Sequence, residues 1–236
     1  MVAAGNCAYA DEYTDEWMYE TELGMPQQKE AAYSLNNPIV KVLDGGVALR
    51  TAAQEESDVV TWGYYGDVYF LVEDQADGWY RVKYNGQEVY LAKSDQVIVE
   101  SVVELAEGLT TRANVVCKAY EMLGNQYTFG GQDRETGYDC SSLIQTIYKE
   151  AEGVALGRTT KEQIKQGIAL ERDQVQPGDL IFYGDPETMD EESVKHVGIY
   201  VGGNYTIHAE GTGIGVTRSI WYGNPNAIKF VRILEE

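Results

Sequence analysis

A chain of 236 residues has room for two domains, and 44% hydrophobic residues can build a packed core in each. A formal charge of −20 argues against nucleic acid and anionic membrane surfaces as partners, because both are held through clustered Lys and Arg. No apolar run is long enough to span a membrane, and three cysteines (Cys7, Cys117, Cys140) without CxxC spacing make neither a disulfide framework nor a zinc site, so no metal or cofactor is expected.

In chain order, residues 1–38 read as an N-terminal extension. Its first ten residues end in Ala8-Tyr9-Ala10 before Asp11, which fits the cleavage end of a secretory signal or simply an Ala-rich terminus. Residues 15–23 have the composition of a short helix, and Pro26 and Pro38 act as breakers.

Residues 39–100 change to short alternating segments. Val40–Leu43, Val47–Arg50, Val59–Tyr64, Val68–Glu73, Trp79–Tyr84 and Val89–Ala92 read as five or six strands, with Asn85-Gly86 as a type I′ hairpin turn. So many short strands in this length predict a small all-β barrel. Tyrosine outnumbers phenylalanine 18 to 4, and Trp62, Tyr64, Tyr65, Trp79 and Tyr80 form a candidate aromatic strip for a polar, partly apolar ligand. The wording of Val47-Ala48-Leu49-Arg50, Gly66-Asp67-Val68-Tyr69 and Gly78-Trp79-Tyr80-Arg81-Val82 resembles the bacterial SH3-like domain. That resemblance implies attachment to peptidoglycan or the shaping of a substrate cleft.

A charged linker over 101–109 leads into a second domain, 110–236. Its first helix buries Val115, Val116, Ala119, Met122 and Leu123 and stops at Gly124, with Cys117 as a packing residue. Tyr127 to Gly131 is an aromatic turn. Asp139 then caps a helix that starts at Cys140 and buries Leu143, Ile144, Ile147, Tyr148 and Ala151. A thiol in a first helical turn meets the positive end of the helix dipole, which lowers its pKa and favours the reactive thiolate. Thr160-x-x-Gln163 reads as a capping box for a helix ended by Gly167, and Gln176-Pro177-Gly178-Asp179 as a turn into strand Leu180–Tyr183. Residues 185–193 form an acidic solvated loop. Strands follow at Val197–Val201, Tyr205–Ala209, Gly215–Arg218 and Ile228–Ile233, so this domain is α+β.

The chain has two histidines, His196 and His208, on consecutive strands joined by Gly202-Gly203-Asn204. A three-residue loop pairs Gly198 with His208 and puts both imidazoles on one face; a two-residue loop separates them. On one face they form a relay, with His196 as base toward Cys140 and His208 holding its other ring nitrogen. Packing roles or a zinc site are the alternatives these residues leave open, with Glu210 close by.

Taken together, Tyr127-x-Phe129-Gly130-Gly131, Asp139-Cys140-Ser141, Arg158-Thr159-Thr160, Gln176-Pro177-Gly178-Asp179-Leu180, His196-Val197-Gly198-Ile199-Tyr200 and Ile207-His208-Ala209 resemble the NlpC-type cell-wall cysteine peptidases, a papain-like superfamily. The resemblance implies an α+β papain-like catalytic domain behind a small SH3-like barrel, in a secreted or wall-associated bacterial enzyme. Its substrate would be peptidoglycan or muropeptides, cut between γ-D-glutamate and a diamino acid. It implies Cys140 as nucleophile, His196 as base and His208 as third polar residue. It also implies Tyr127, Asp139 and Ser141 as substrate contacts, with Arg158 and Thr160 beside them. The sequence departs from the family at Phe129 (usually Trp), Ser142 (usually Gly, so the space beside the thiol is expected to narrow) and Gly157 (usually Pro). Two further readings are a wall-binding protein without hydrolysis and a thiol amidase or acyltransferase acting on another bond.

Overall fold

The computed structural model describes residues 38–101, 111–211, 215–220 and 224–234. The expected extension up to residue 37, including its helix at 15–23 and its signal-like end, and the connection at 102–110 lie outside the described residues.

The first region is an antiparallel sheet of seven strands, one more than the upper expectation: β1 (Pro38–Val42), β2 (Val47–Arg50), β3 (Val59–Gly63), β4 (Val68–Asp74), β5 (Trp79–Tyr84), β6 (Gln87–Ala92) and β7 (Val97–Ser101). They lie in the order β3-β2-β6-β5-β4-β1-β7. The added strand β7 pairs along all of β1, so the region closes at residue 101. Pro38 opens β1 instead of blocking it, a position where a missing N–H is tolerated. Alternation places Val40, Val42, Leu49, Val82, Val89 and Leu91 in one apolar core. The Asn85-Gly86 turn has φ of 45° and 78°, the pair of positive values that a type I′ turn requires.

The second region packs two helices, α1 (Thr111–Glu121) and α2 (Cys140–Glu152), on a six-stranded sheet. After the two-residue strands β8 (Gln132–Asp133) and β9 (Gly137–Tyr138) and the single-turn helix α3 (Thr160–Gln163), that sheet is made by β10 (Ile168–Leu170), β11 (Leu180–Tyr183), β12 (His196–Gly202), β13 (Tyr205–Glu210), β14 (Gly215–Ile220) and β15 (Ala227–Arg232), in the order β10-β15-β11-β12-β13-β14. Leu143, Ile144, Ile147 and Tyr148 of α2 are fully buried against Leu180, Phe182, Ile199 and Ile207. Each aliphatic side chain so buried is worth roughly 1.5–3 kcal/mol. Beneath them Asp179 is fully buried, held by Arg112 at 3.0 Å and by Arg232 at 3.1 and 2.8 Å. Two guanidinium groups offset the cost of a buried carboxylate and tie the turn before β11 to α1 and β15.

Three details of this region differ from the sequence expectation. The capping box of α3 is Thr159 with Glu162, one residue earlier than Thr160 with Gln163, and the helix ends at Gln163. Gly167 precedes strand β10 instead of ending the helix; its φ is 79°, and an added Cβ would lie 2.2 Å from the Arg232 carbonyl oxygen. The β12–β13 hairpin pairs Gly202 with Tyr205, which leaves only Gly203 and Asn204 in the loop. A bulge at Val201 restores the offset, so Tyr200 pairs with Thr206 and Ile199 with Ile207.

The two sheets belong to one compact unit. Ile39 and Val68 of the first sheet are buried in the same cluster as α1 and α2. The Gly86 N–H donates to the Gly124 carbonyl at 2.7 Å, and the Gly124 N–H donates to Val216 at 2.9 Å. The β5–β6 turn is therefore wedged between the end of α1 and the start of β14.

Candidate active site

The sequence Tyr-Asp-Cys-Ser-Ser makes a tightly determined helix start. Asp139 is extended, with φ −88° and ψ 174°, and its carboxylate accepts from the Ser142 N–H at 2.8 Å. The Ser142 hydroxyl accepts from the Asp139 N–H at 3.0 Å and donates to the Gly131 carbonyl at 2.7 Å, which completes a capping box. Ser142 thus serves the cap and the Gly130-Gly131 turn. The expected narrowing beside the thiol does not follow from these contacts.

Cys140 stands at the first helical position and is half-buried. Burial pushes its thiol up; backbone N–H groups of Val197, Ser141 and Cys140 itself pull down, and the Asp139 charge adds to the rise. The net direction is upward, opposite to the expectation from the helix dipole alone. Desolvation outweighs three N–H groups here. The Val197 contact fixes the sulfur beside the start of β12, one residue from His196.

The two histidines do share a face. His196 Nε2 lies 2.7 Å from His208 Nδ1, with the rings edge to face at a centroid distance of 4.9 Å. Burial lowers His196 to about 3, with a further lowering from His208 and an opposing pull from Glu210; burial alone lowers His208 to about 4. Both rings are therefore neutral at pH 7. The ring of Tyr183, across from His196 on β11, is tilted against it at 5.5 Å, and the Tyr183 hydroxyl pairs with Thr206 at 3.2 Å. Behind the pair, Glu210 Oε2 lies 3.6 Å from His208 Nε2.

On the other side of Cys140, Arg158 binds both Asp139 oxygens at 3.1 and 2.6 Å and the Ser141 hydroxyl at 3.0 Å. Burial raises Asp139, but Arg158, the Ser142 N–H and the Ser141 hydroxyl together hold its carboxyl below the usual range. Tyr127 is half-buried, bridges to Tyr138, and feels the Cys140 and Asp139 charges, which add to the upward push of burial on its phenol. Thr160 is half-buried at the first turn of α3. Phe129, where the family usually has Trp, is exposed. Of the aromatic strip, Trp62, Tyr64 and Tyr65 are exposed, whereas Trp79 is buried in the first sheet and drops out of the strip.

Cys140, His196 and His208 carry a thiol and two imidazoles, the group types from which a nucleophile, a base and an orienter are built. Over 115 residues the chain is 34% identical to a protein of Escherichia coli named "Probable endopeptidase NlpC", covering 49% of this chain and 71% of that protein. The chain belongs to the NlpC/P60 family. The NlpC/P60 signature matches residues 124–234, and that of the bacterial SH3 domain matches residues 45–95. A second relative, the gamma-D-glutamyl-L-lysine dipeptidyl-peptidase of Bacillus cereus, is 31% identical over 195 residues, 82% of this chain. The chain spans 55% of that relative's length. A crystal structure of an NlpC/P60 family protein from Bacillus cereus superposes with a TM-score of 0.48 at 22% identity, covering 88% of this chain and 67% of that one.

Two residues of this NlpC/P60 site escape a reading of the sequence. Gln163 is fully buried, and its amide donates to the carbonyls of Ser141 and Gly157, both at 2.8 Å, so it clamps the residue after Cys140. Its sequence signal was absorbed by the capping-box pattern one residue away. Tyr183 lies beside His196 only because β11 and β12 pair in that register, which no local pattern encodes. Among the described residues no group of three or more His, Cys, Asp and Glu is arranged to hold a metal, and no helix is long and apolar enough to cross a membrane.

Proposed function

We propose that this protein is a cysteine endopeptidase that hydrolyses peptidoglycan stem peptides at the bond between γ-D-glutamate and a diamino acid, at the cell wall. The observation that carries the reading is the 2.7 Å contact between His196 Nε2 and His208 Nδ1, on a strand whose next N–H, from Val197, reaches the Cys140 sulfur. Occupied on one nitrogen, His196 has Nδ1 left for the thiol.

In this mechanism the resting site holds a neutral thiol and neutral rings. As the Cys140 sulfur attacks the γ-glutamyl carbonyl carbon, its proton passes to His196 Nδ1. The oxyanion gathers charge at the start of α2, where the N–H groups of Cys140 and Ser141 already face the sulfur. Collapse breaks the C–N bond, His196 protonates the leaving amine, and a thioester remains. Water then attacks the thioester with His196 as base, and the thiol returns. His208 holds the His196 ring throughout.

Substrate recognition is assigned to Tyr127, Asp139, Ser141, Arg158 and Thr160. Asp139 Oδ1 accepts from Ser142, Ser141 and Arg158, whereas Oδ2 accepts from Arg158 at 2.6 Å, so the free amine of an L-alanine end is received at the less crowded Oδ2, beside that guanidinium. The B. cereus relative, by its name, acts next to γ-D-glutamate, which supports the choice of bond. The SH3-like region, with Trp62, Tyr64 and Tyr65 exposed, attaches the enzyme to the wall polymer.

The test is digestion of defined muropeptides, with and without a free L-alanine end, read by mass spectrometry. The wild-type protein releases fragments beginning with the diamino acid, and Cys140→Ala releases none while keeping its fold. Full turnover by Cys140→Ala, or products from another bond, would overturn the assignment.

A further inference from the structure

We infer that Glu210 is a positioning residue that selects the proton arrangement of the histidine pair, so that His196 presents an unprotonated nitrogen to Cys140. The inference rests on the roles proposed above for Cys140 and His196, and extends them to a residue those roles do not include. The contact of His196 Nε2 with His208 Nδ1 at 2.7 Å needs one proton between the two nitrogens. Two neutral rings can supply it in two ways. In the first, His208 carries its proton on Nε2 and accepts at Nδ1; His196 donates from Nε2, and its Nδ1 is a free base. In the second, His208 donates from Nδ1; its Nε2 is a bare lone pair, and His196 carries its proton on Nδ1. The second arrangement leaves nothing to take the thiol proton.

The two rings and their mutual contact are compatible with either arrangement. Glu210, on the far side of His208, distinguishes them. Glu210 Oε2 lies 3.6 Å from His208 Nε2, a separation at which a carboxylate attracts a ring N–H and repels a ring lone pair. Glu210 and His208 point to the same side of β13, two residues apart, and Glu210 closes the ladder with Gly215. Its own side chain is partly exposed and faces a buried ring. The same charge, passed through His208, also favours the imidazolium that His196 becomes when it takes the thiol proton. The Tyr183 hydroxyl pairs with Thr206.

The chain contains two histidines, so long-range proton–nitrogen spectra of the 15N-histidine-labelled full chain without substrate report both tautomers directly. The expected result at pH 7.5 is a proton on Nε2 of each ring. In Glu210→Gln the preference weakens and a fraction of His196 carries its proton on Nδ1, while Glu210→Asp keeps the wild-type pattern. On muropeptides Glu210→Gln loses roughly 3- to 30-fold in kcat with KM within about twofold, a part of the 10²–10⁴ that general base catalysis supplies. Unchanged tautomers in Glu210→Gln, or an Nδ1 proton on His196 in the wild type, would overturn the inference. If the tautomers shift as expected but the wild type cuts no muropeptide, the proposed function fails and the role of Glu210 in the pair stands.

Discussion

Arg158 grips both carboxylate oxygens of Asp139, at 3.1 and 2.6 Å, across a gap of 19 residues. The pair joins the segment before α3 to the start of the helix that carries Cys140. Removing the guanidinium leaves a partly buried carboxylate with fewer donors. We expect Arg158→Ala to lose roughly 1.5–3 kcal/mol at pH 7, the range for hydrogen bonds to charged groups. The Asp139 carboxyl is depressed in the folded protein, so its contribution is complete above its unfolded pKa of ~3.9 and is lost as pH falls through the folded value. Urea denaturation at pH 7 and pH 3 should show the gap between wild type and variant shrinking at the lower pH.

The histidine pair gives a second pH dependence, in a higher window. Burial holds His196 at about 3 and His208 at about 4, below the ~6.5 of a free imidazole. Between those values the unfolded chain binds protons that the folded one does not. Stability is therefore full above about pH 6.5 and declines as pH falls toward 4. Denaturation midpoints should drop between pH 7.5 and 5.5, where carboxylates stay ionised. A double variant, His196→Gln with His208→Gln, should lose that part of the slope; an undiminished slope would assign it to other groups.

Iodoacetamide separates a neutral thiol from a preformed ion pair. Since burial pushes Cys140 up, its alkylation rate should climb about tenfold per pH unit from pH 6 to 8 without a plateau, following the thiolate fraction. A fast, pH-independent rate at pH 6 would mean that His196 already holds the proton before substrate arrives.

The contact between the sheets is sensitive to a single methyl group. Gly124 has a φ of 78°, and a Cβ there would lie 2.5 Å from Lys83 Cβ and 2.6 Å from the Lys83 carbonyl oxygen. Gly124→Ala therefore combines left-handed strain with a clash against backbone, and should cost roughly 2–4 kcal/mol. Thermal denaturation measures the loss. Gly78→Ala is the control: its φ is 95°, but a Cβ meets nothing within 4 Å.

Where local chemistry decides, the sequence was legible. Asp139 as cap, the buried stripe of α2 and the Asn85-Gly86 turn each follow from a few adjacent residues. The misreadings arise where a distant partner decides. Thr159 caps α3 in place of Thr160 because Glu162 reaches back to it, and two consecutive threonines leave the choice to geometry. Trp79 is buried at the start of β5, opposite Ala92 of β6, which a strip of aromatics does not reveal. The Cys140 thiol rises because burial around the helix start outweighs the N–H groups that sequence position supplies. Glu210 and Gln163 acquire roles only through strand pairing and the return of the chain to Ser141.

The bulge at Val201 makes the site a matter of parity. A two-residue hairpin with strict alternation would set Ala209, not His208, opposite Gly198 and on the face of His196, and one extra residue reverses that. Adding or removing a single residue between Tyr200 and Tyr205 would still leave a well-bonded ribbon with a greasy side and a polar side. It would also point the second imidazole into the oily interior, so a codon's length is enough to break or restore the histidine pair without touching either ring.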